Sequence, residues 1–261
     1  MFIRTASATY HEFTAAVPSD AKKYPQKKVY GNYDPVKVET KFIDLQGFNI
    51  TYRRAVSTDP DFYEQKRHPV PIILLHGPDW ASETWEWMGT MQKLVEFGFD
   101  PVAVNMPESL PDDEKADVNI AFFDEMMKKL KLDRPVILTA SVTHRYAIGW
   151  IHKHASDDKI RGWISLAPMS THAFPKENYV QMLIPNLTIV RASDGAGRRL
   201  YDRDILKMPN TKLEVFPSQV EDRERVPMFD NPKLFHILLL NFLHDINEGV
   251  YDIPDMLTEV P

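Results

Sequence analysis

Ser141 is the residue on which a chemical reading of this chain turns. It stands between a short apolar run, Val136–Ala140, and a segment with helical spacing, residues 142–155. A serine at a tight turn from a buried strand into a helix is the layout of a nucleophile elbow, which lifts the hydroxyl above the end of a sheet. The chemistry of such a serine is acyl transfer. Its oxygen attacks a carbonyl carbon, a base takes its proton, and backbone N–H groups hold the developing oxyanion. The usual turn reads Gly-x-Ser-x-Gly. Here Thr139 and Thr143 occupy the glycine positions and are expected to crowd the serine. One oxyanion donor would be the N–H of Val142. The other would follow His76-Gly77, but that residue is Pro78, which has no N–H. Loss of one such donor costs roughly 3–4 kcal/mol in a working enzyme.

The elements that must position these residues can be read from periodicity. Residues 37–45 and 48–54 alternate about Gln46-Gly47 and predict an antiparallel hairpin. Further strands are expected at Val70–Leu75, 101–105, Val136–Ala140, 160–166, Asn186–Arg191 and 212–216. Helices are expected at 82–97 with Ser82 as cap, and at 118–130, 142–155, 178–183, 198–207 and 232–246. Strands alternating with helices mean a mostly parallel central sheet, opened by the antiparallel hairpin and covered by helices on both faces. The fold class is therefore α/β, with little or no lid. Ligands of such sheets sit at the carboxyl ends of the strands. Gly77, Ser141 and Asp194 each follow a strand, so they should converge on one edge. Residues 1–35 read as an irregular arm, 36–246 as the domain and 247–261 as an irregular tail.

This layout resembles the α/β-hydrolase fold. More narrowly, Leu74-Leu-His-Gly-Pro-Asp-Trp-Ala-Ser-Glu-Thr-Trp85, Gly89-Thr90, Gly98-Phe99 and Val102-Ala-Val-Asn-Met-Pro107 are similar to the α/β-hydrolase-domain-containing protein 14 family. The segment Thr139-Ala-Ser-Val-Thr-His-Arg-Tyr146 follows that family's Ser-Pro-Ser-Leu-Ser-Gly-x-Tyr with substitutions. The likeness runs from about residue 36 to residue 246. It implies a serine hydrolase or acyl-transfer ancestry with a Ser-Asp-His triad, and in one lineage removal of acetyl groups from lysines or small esters. Ser141 falls on the nucleophile and Asp194 on the acid. Alignment on Phe229-Asp-Asn-Pro232 puts Arg225 on the base, and no histidine occurs between His172 and His236. Arginine stays protonated and cannot take the serine's proton. The expected substitute for the lost imidazole is an Arg225–Asp194 ion pair.

The remaining histidines offer little. His144, three residues past Ser141, is a weak alternative base, weighed against a surface or supporting place. His152 and His154 are expected to be solvated, His236 and His244 to pack or be exposed, and His76 to hydrogen-bond backbone. Asp79 and Glu83 read as a capping arrangement. Trp85, Met88 and Met91 read as core, and Trp80 as a pocket residue beside Gly77.

Composition narrows the field. A net charge of −6 over 261 residues offers no basic excess for nucleic acid. There are no cysteines, which removes thiolate chemistry and fits a reducing compartment. No apolar run is long enough to span a bilayer, and the first residues lack a secretory apolar core. The expected location is cytoplasmic, with nucleus and mitochondrion left open. No cofactor and no metal are expected. Candidate partners are a small acyl or ester ligand and a protein. Two readings result: a hydrolase-fold protein with an incomplete triad that binds or scaffolds, which is favoured, and an active serine hydrolase or acyl transferase using an unusual base.

Overall fold

The computed structural model describes residues 36–57, 69–78, 80–107, 116–169, 171–192, 203–217 and 226–251. Eight strands form one sheet: β1 Val36–Leu45, β2 Phe48–Ser57, β3 Val70–Leu75, β4 Phe99–Val104, β5 Val136–Ala140, β6 Gly162–Leu166, β7 Asn186–Arg191 and β8 Thr211–Phe216. Their order is β1-β2-β4-β3-β5-β6-β7-β8. The β1–β2 and β2–β4 pairs are antiparallel and all others parallel. Gln46 and Gly47 both have positive φ, 53° and 85°, as a two-residue hairpin turn matched to strand twist requires.

Helices cover both faces. They are α1 Glu83–Trp87, α2 Thr90–Glu96, α3 Ala116–Leu130, α4 Thr143–His154, α5 Lys176–Gln181, α6 Pro227–Asp230 and α7 Pro232–Asn247. The side-chain alternation of the strands divides the core in two. Ile73, Leu75, Val102 and Val104 face Phe122, Phe123 and Met126 of α3 and Trp150 of α4. Ile72, Leu74 and Ala103 face Trp85 of α1, Met91 of α2 and Leu239 of α7. Strands buried on both faces are the reason that these segments read as continuous apolar runs.

Adjacent arginines on β2 point to opposite faces and anchor each. Arg53 holds Glu83 and Glu86 of α1 at 2.7 and 2.5 Å. Arg54 grips the Asp100 carboxylate of β4, with Nε donating to Oδ1 at 2.9 Å.

Several expected elements differ in the folded chain. The helix expected over 82–97 is two helices, because Gly89 turns left-handed at φ 71°. Trp85, Met88, Met91, Leu94 and Val95 are nonetheless all buried. Ser82 does not cap: its backbone is already helical and its side chain makes no cap bond. Its N–H instead donates to Asn105 Oδ1 at 2.6 Å. Glu83 is engaged by Arg53, and Asp79 lies outside the described residues. The helix expected at 178–183 begins at Lys176, directly after Pro175. Of 198–207, residues 205–207 form a 3₁₀ turn and 198–202 lie outside the described residues, as do the arm 1–35 and the tail beyond 251. His154, expected to be solvated, is buried between Asp157 at 2.6 Å and Asp124 at 3.1 Å. Among the described residues no helix is long and apolar enough to cross a membrane.

An added Cβ at Gly89 would meet nothing within 4 Å, so the cost of a side chain there is the backbone conformation alone. Gly89→Ala should lose about 1–2 kcal/mol, and Gly89→Asn less, since Asn tolerates that conformation. Urea unfolding followed by circular dichroism measures both; equal losses would count against this account.

Candidate active site

The turn after β5 has the geometry of an elbow. Ser141 is in the left-handed region at φ 56°, where a non-glycine residue costs on the order of 1–3 kcal/mol. Neighbouring backbone holds it there. Its N–H donates to the Leu166 carbonyl at the end of β6 at 2.9 Å, and its own carbonyl accepts from Met169 N–H at 3.2 Å. The flanking threonines tie the same turn. Thr143 Oγ1 donates to the Ala140 carbonyl at 2.8 Å and accepts from the Ala140 N–H at 3.0 Å. Thr139 Oγ1 accepts from Trp163 Nε1 at 3.0 Å. The expectation that these threonines crowd the serine is therefore corrected: both hydroxyls are engaged elsewhere and brace the elbow.

Gly77 comes to the elbow from β3. A Cβ on it would lie 3.5 Å from Ser141 Cβ and 3.3 Å from the Trp80 ring. Trp80 is half-buried and meets Trp85 and Phe229 edge-on, with ring centroids 6.5 and 5.0 Å apart. Pro78 is exposed in the turn between Gly77 and Trp80, and Val142 is half-buried at the start of α4. His76 braces this loop. Its Nδ1–H donates to the Gly77 carbonyl at 2.7 Å while Nε2 accepts from Met106 N–H at 3.0 Å. Burial lowers its pKa, which suits the neutral ring that this pattern demands.

The Ser141 hydroxyl donates to the Met169 sulfur at 3.1 Å. A thioether is a weak acceptor and not a base. His144 faces elsewhere. Its ring is fully buried, stacked between Trp163 and Tyr179 with centroids 5.0 and 6.4 Å away. Tyr179 Oη donates its one proton to the Thr171 carbonyl at 3.1 Å. His144 Nε2–H must therefore be the donor in the 3.0 Å bond to Tyr179 Oη. Nδ1 then carries the lone pair, buried and without a hydrogen-bond partner among the described residues. Burial pushes the His144 pKa down to about 3. The His144 ring is thus neither on the surface nor the partner of the Ser141 hydroxyl. Thr171 continues the chain of contacts, its hydroxyl donating to buried Asp204 at 2.8 Å.

Asp194 and Arg225 lie outside the described residues. The segments beside them are joined: Arg191, the last residue of β7, holds Asp230 of α6 at 2.9 Å, with both side chains mostly buried. His236 is buried on α7 and hydrogen-bonds Thr90 Oγ1 at 2.9 Å; burial pushes its pKa to about 3 also. Among the described residues no group of three or more His, Asp or Glu is placed to hold a metal ion. Met169, Tyr179 and Asp204 were not singled out from the sequence. The one available signal was that residues 167–176 follow β6 and must emerge at the same sheet edge.

No protein-family model matches the chain. Protein ABHD14A of Danio rerio is 25% identical over 76% of this chain and 78% of its own length. The human protein named putative protein-lysine deacylase ABHD14B is 24% identical over 67% of this chain and 83% of its own. Among solved structures, a predicted CIB-like hydrolase from Thermoplasma acidophilum has a TM-score of 0.65 at 17% identity, over 81% of this chain and all of its own. Carboxylesterase CesB from Bacillus subtilis has a TM-score of 0.63 at 10% identity, over 80% of this chain and 93% of its own. The fold is that of the α/β-hydrolases.

Two measurements test this geometry. Ser141→Gly removes the left-handed penalty and Ser141→Ala keeps it. After the extra chain entropy of glycine, Ser141→Gly should be the more stable by about 0.5–1 kcal/mol in urea unfolding. The second concerns pH. His144 and His236 stay neutral in the fold down to about pH 3, whereas an unfolded imidazole takes up a proton near pH 6.5. Their contribution to stability is therefore full above that pH and is lost as the pH falls toward 3. Thermal melts between pH 7 and pH 4 should show a falling Tm, with a shallower slope in His144→Gln; a pH-independent Tm would contradict the burial of both rings.

Proposed function

We propose that this chain, an α/β-hydrolase-fold protein resembling the α/β-hydrolase-domain-containing protein 14 family, has an incomplete Ser-Asp-(His) triad, lacks ordinary serine-hydrolase turnover and acts in binding or scaffolding. The environment of the Ser141 hydroxyl carries this reading. Its partner is the Met169 thioether, and a thioether cannot take the proton that attack on a carbonyl requires. The base position falls on Arg225, which remains protonated at any accessible pH. An Arg225–Asp194 ion pair would neutralise the acid left behind. Pro78 deprives the oxyanion site of a donor. The cleft bounded by Gly77, Pro78, Trp80 and Val142 is then a place to hold a small acyl or ester group without cleaving it, or a contact for a protein partner. The lack of cysteines fits a cytoplasmic location.

The strained backbone at Ser141 supports a second reading, an active hydrolase or acyl transferase with an unusual base, because such strain concentrates at working sites. The name of the human relative, a putative protein-lysine deacylase, points the same way. His144 would be that base only after breaking its bond to Tyr179.

One experiment separates the two. The purified protein should not be labelled by a fluorophosphonate probe, and its hydrolysis of p-nitrophenyl acetate should equal that of Ser141→Ala. Labelling that Ser141→Ala abolishes would sink the first reading, and loss of turnover in His144→Ala as well would name the base.

A further inference from the structure

The amino ends of β3 and β4 and the turn before β6 enclose a second cleft, of about 560 Å³. It lies at the sheet edge opposite Ser141, because Val70 and Pro71 begin the strand that ends next to Gly77. The seven residue steps from Val70 to Gly77 make the separation roughly 20 Å. No step of the acyl chemistry uses it. A volume of this size suits a small organic ligand.

Its lining is charged in one sense. Lys41, Arg54, Lys131 and Arg161 face it, against the carboxylates of Asp100 and Asp133. Cations thus outnumber carboxylates in the lining itself, in a chain whose net charge is −6. Some of these cations are already committed. Arg54 grips Asp100 and also reaches the Leu130 carbonyl at 3.5 Å. Lys41 pairs with Glu39 at 2.8 Å. Arg161 is different: its Nε is buried and has no hydrogen-bond partner among the described residues. Burial, and then the neighbouring Arg134, lower the Arg161 pKa, and Arg134 itself is paired with Asp158. Lys131 is exposed and makes no ion pair with the described residues. A buried guanidinium N–H without an acceptor is costly and is satisfied by an incoming anionic oxygen. Val56, Pro69, Val70 and Pro71 make the apolar part of the lining.

We propose that this cleft binds the phosphoryl dianion of a small phosphorylated molecule, with Arg161 and Lys131 holding the charge and the apolar residues receiving the organic part. The planar fork of arginine suits phosphoryl oxygens, and lysine adds a point charge. The site is independent of whether Ser141 turns over any substrate.

Isothermal titration of the full chain with phenyl phosphate tests this, with benzoate at matched ionic strength as the monoanion control. Saturable one-to-one binding of phenyl phosphate is expected, with benzoate at least about tenfold weaker. Arg161→Gln and Lys131→Gln should each weaken binding about tenfold, the loss of one charge-assisted contact. Ser141→Ala should bind as the parent does. Lys131 is exposed, so Lys131→Gln decides the matter if Arg161→Gln fails to fold. Absence of saturable binding, equal binding of benzoate, or binding unchanged in Lys131→Gln overturns the proposal. Binding to vesicles containing phosphatidic acid but not to phenyl phosphate would overturn it as well, by assigning the site to a lipid headgroup.

Discussion

A left-handed serine at the carboxyl end of the central strand is the constraint from which the rest of the site takes its shape. Ser141 adopts a conformation that an L-residue avoids, so something must hold it there. The hydrogen bonds from β6 and from the Met169 segment do so, along with the two-way bond of Thr143 to Ala140. The same bonds bring Met169 over the hydroxyl. The elbow and the loop after β6 are therefore one unit. The identity of the residue on that loop, here a thioether, decides what chemistry the hydroxyl meets.

Four imidazoles of the described residues are committed to structure. His76 joins the loops after β3 and β4, His144 lies in an aromatic stack, His154 sits between two carboxylates, and His236 ties α2 to α7 through Thr90. Each ring is buried, and burial lowers the pKa of His76, His144 and His236, which disfavours their taking up a proton near neutral pH. At the elbow itself the Ser141 hydroxyl meets a thioether, a weak acceptor.

Charge is distributed in keeping with this. At the Ser141 edge, Arg191 and Asp230 neutralise one another. At the opposite edge, cations outnumber carboxylates in an open cleft. Arg53 and Arg54, adjacent on β2 and pointing to opposite faces, show how one antiparallel strand is pinned to both layers. The pairs at Glu83 and Glu86 are partly solvated and contribute little individually. Their geometry sets the position of α1, and with it Trp85 and Trp80.

Much of the fold was legible because it rests on local pattern. The hairpin about Gln46-Gly47, the buried strands β3, β5 and β7, and the convergence of Gly77 and Ser141 follow from period-2 alternation, turn chemistry and the parallel-sheet rule. Trp80 beside Gly77 and His76 on backbone followed from their places in the loop. Tertiary contacts decided the remainder. Apolar spacing continues across residues 82–97, so only the backbone at Gly89 reveals two helices. Polar residues such as His154, Thr139 and Thr143 looked solvated or obstructive because their partners, Asp124, Trp163 and the Ala140 backbone, are distant in sequence or invisible to pattern. Residue types and their order thus determined the scaffold and the place of Ser141 at the turn after β5. Which atom faces the Ser141 hydroxyl, Met169 sulfur and not His144 nitrogen, was settled only by packing, because helix rotation and loop path depend on contacts that no linear spacing encodes.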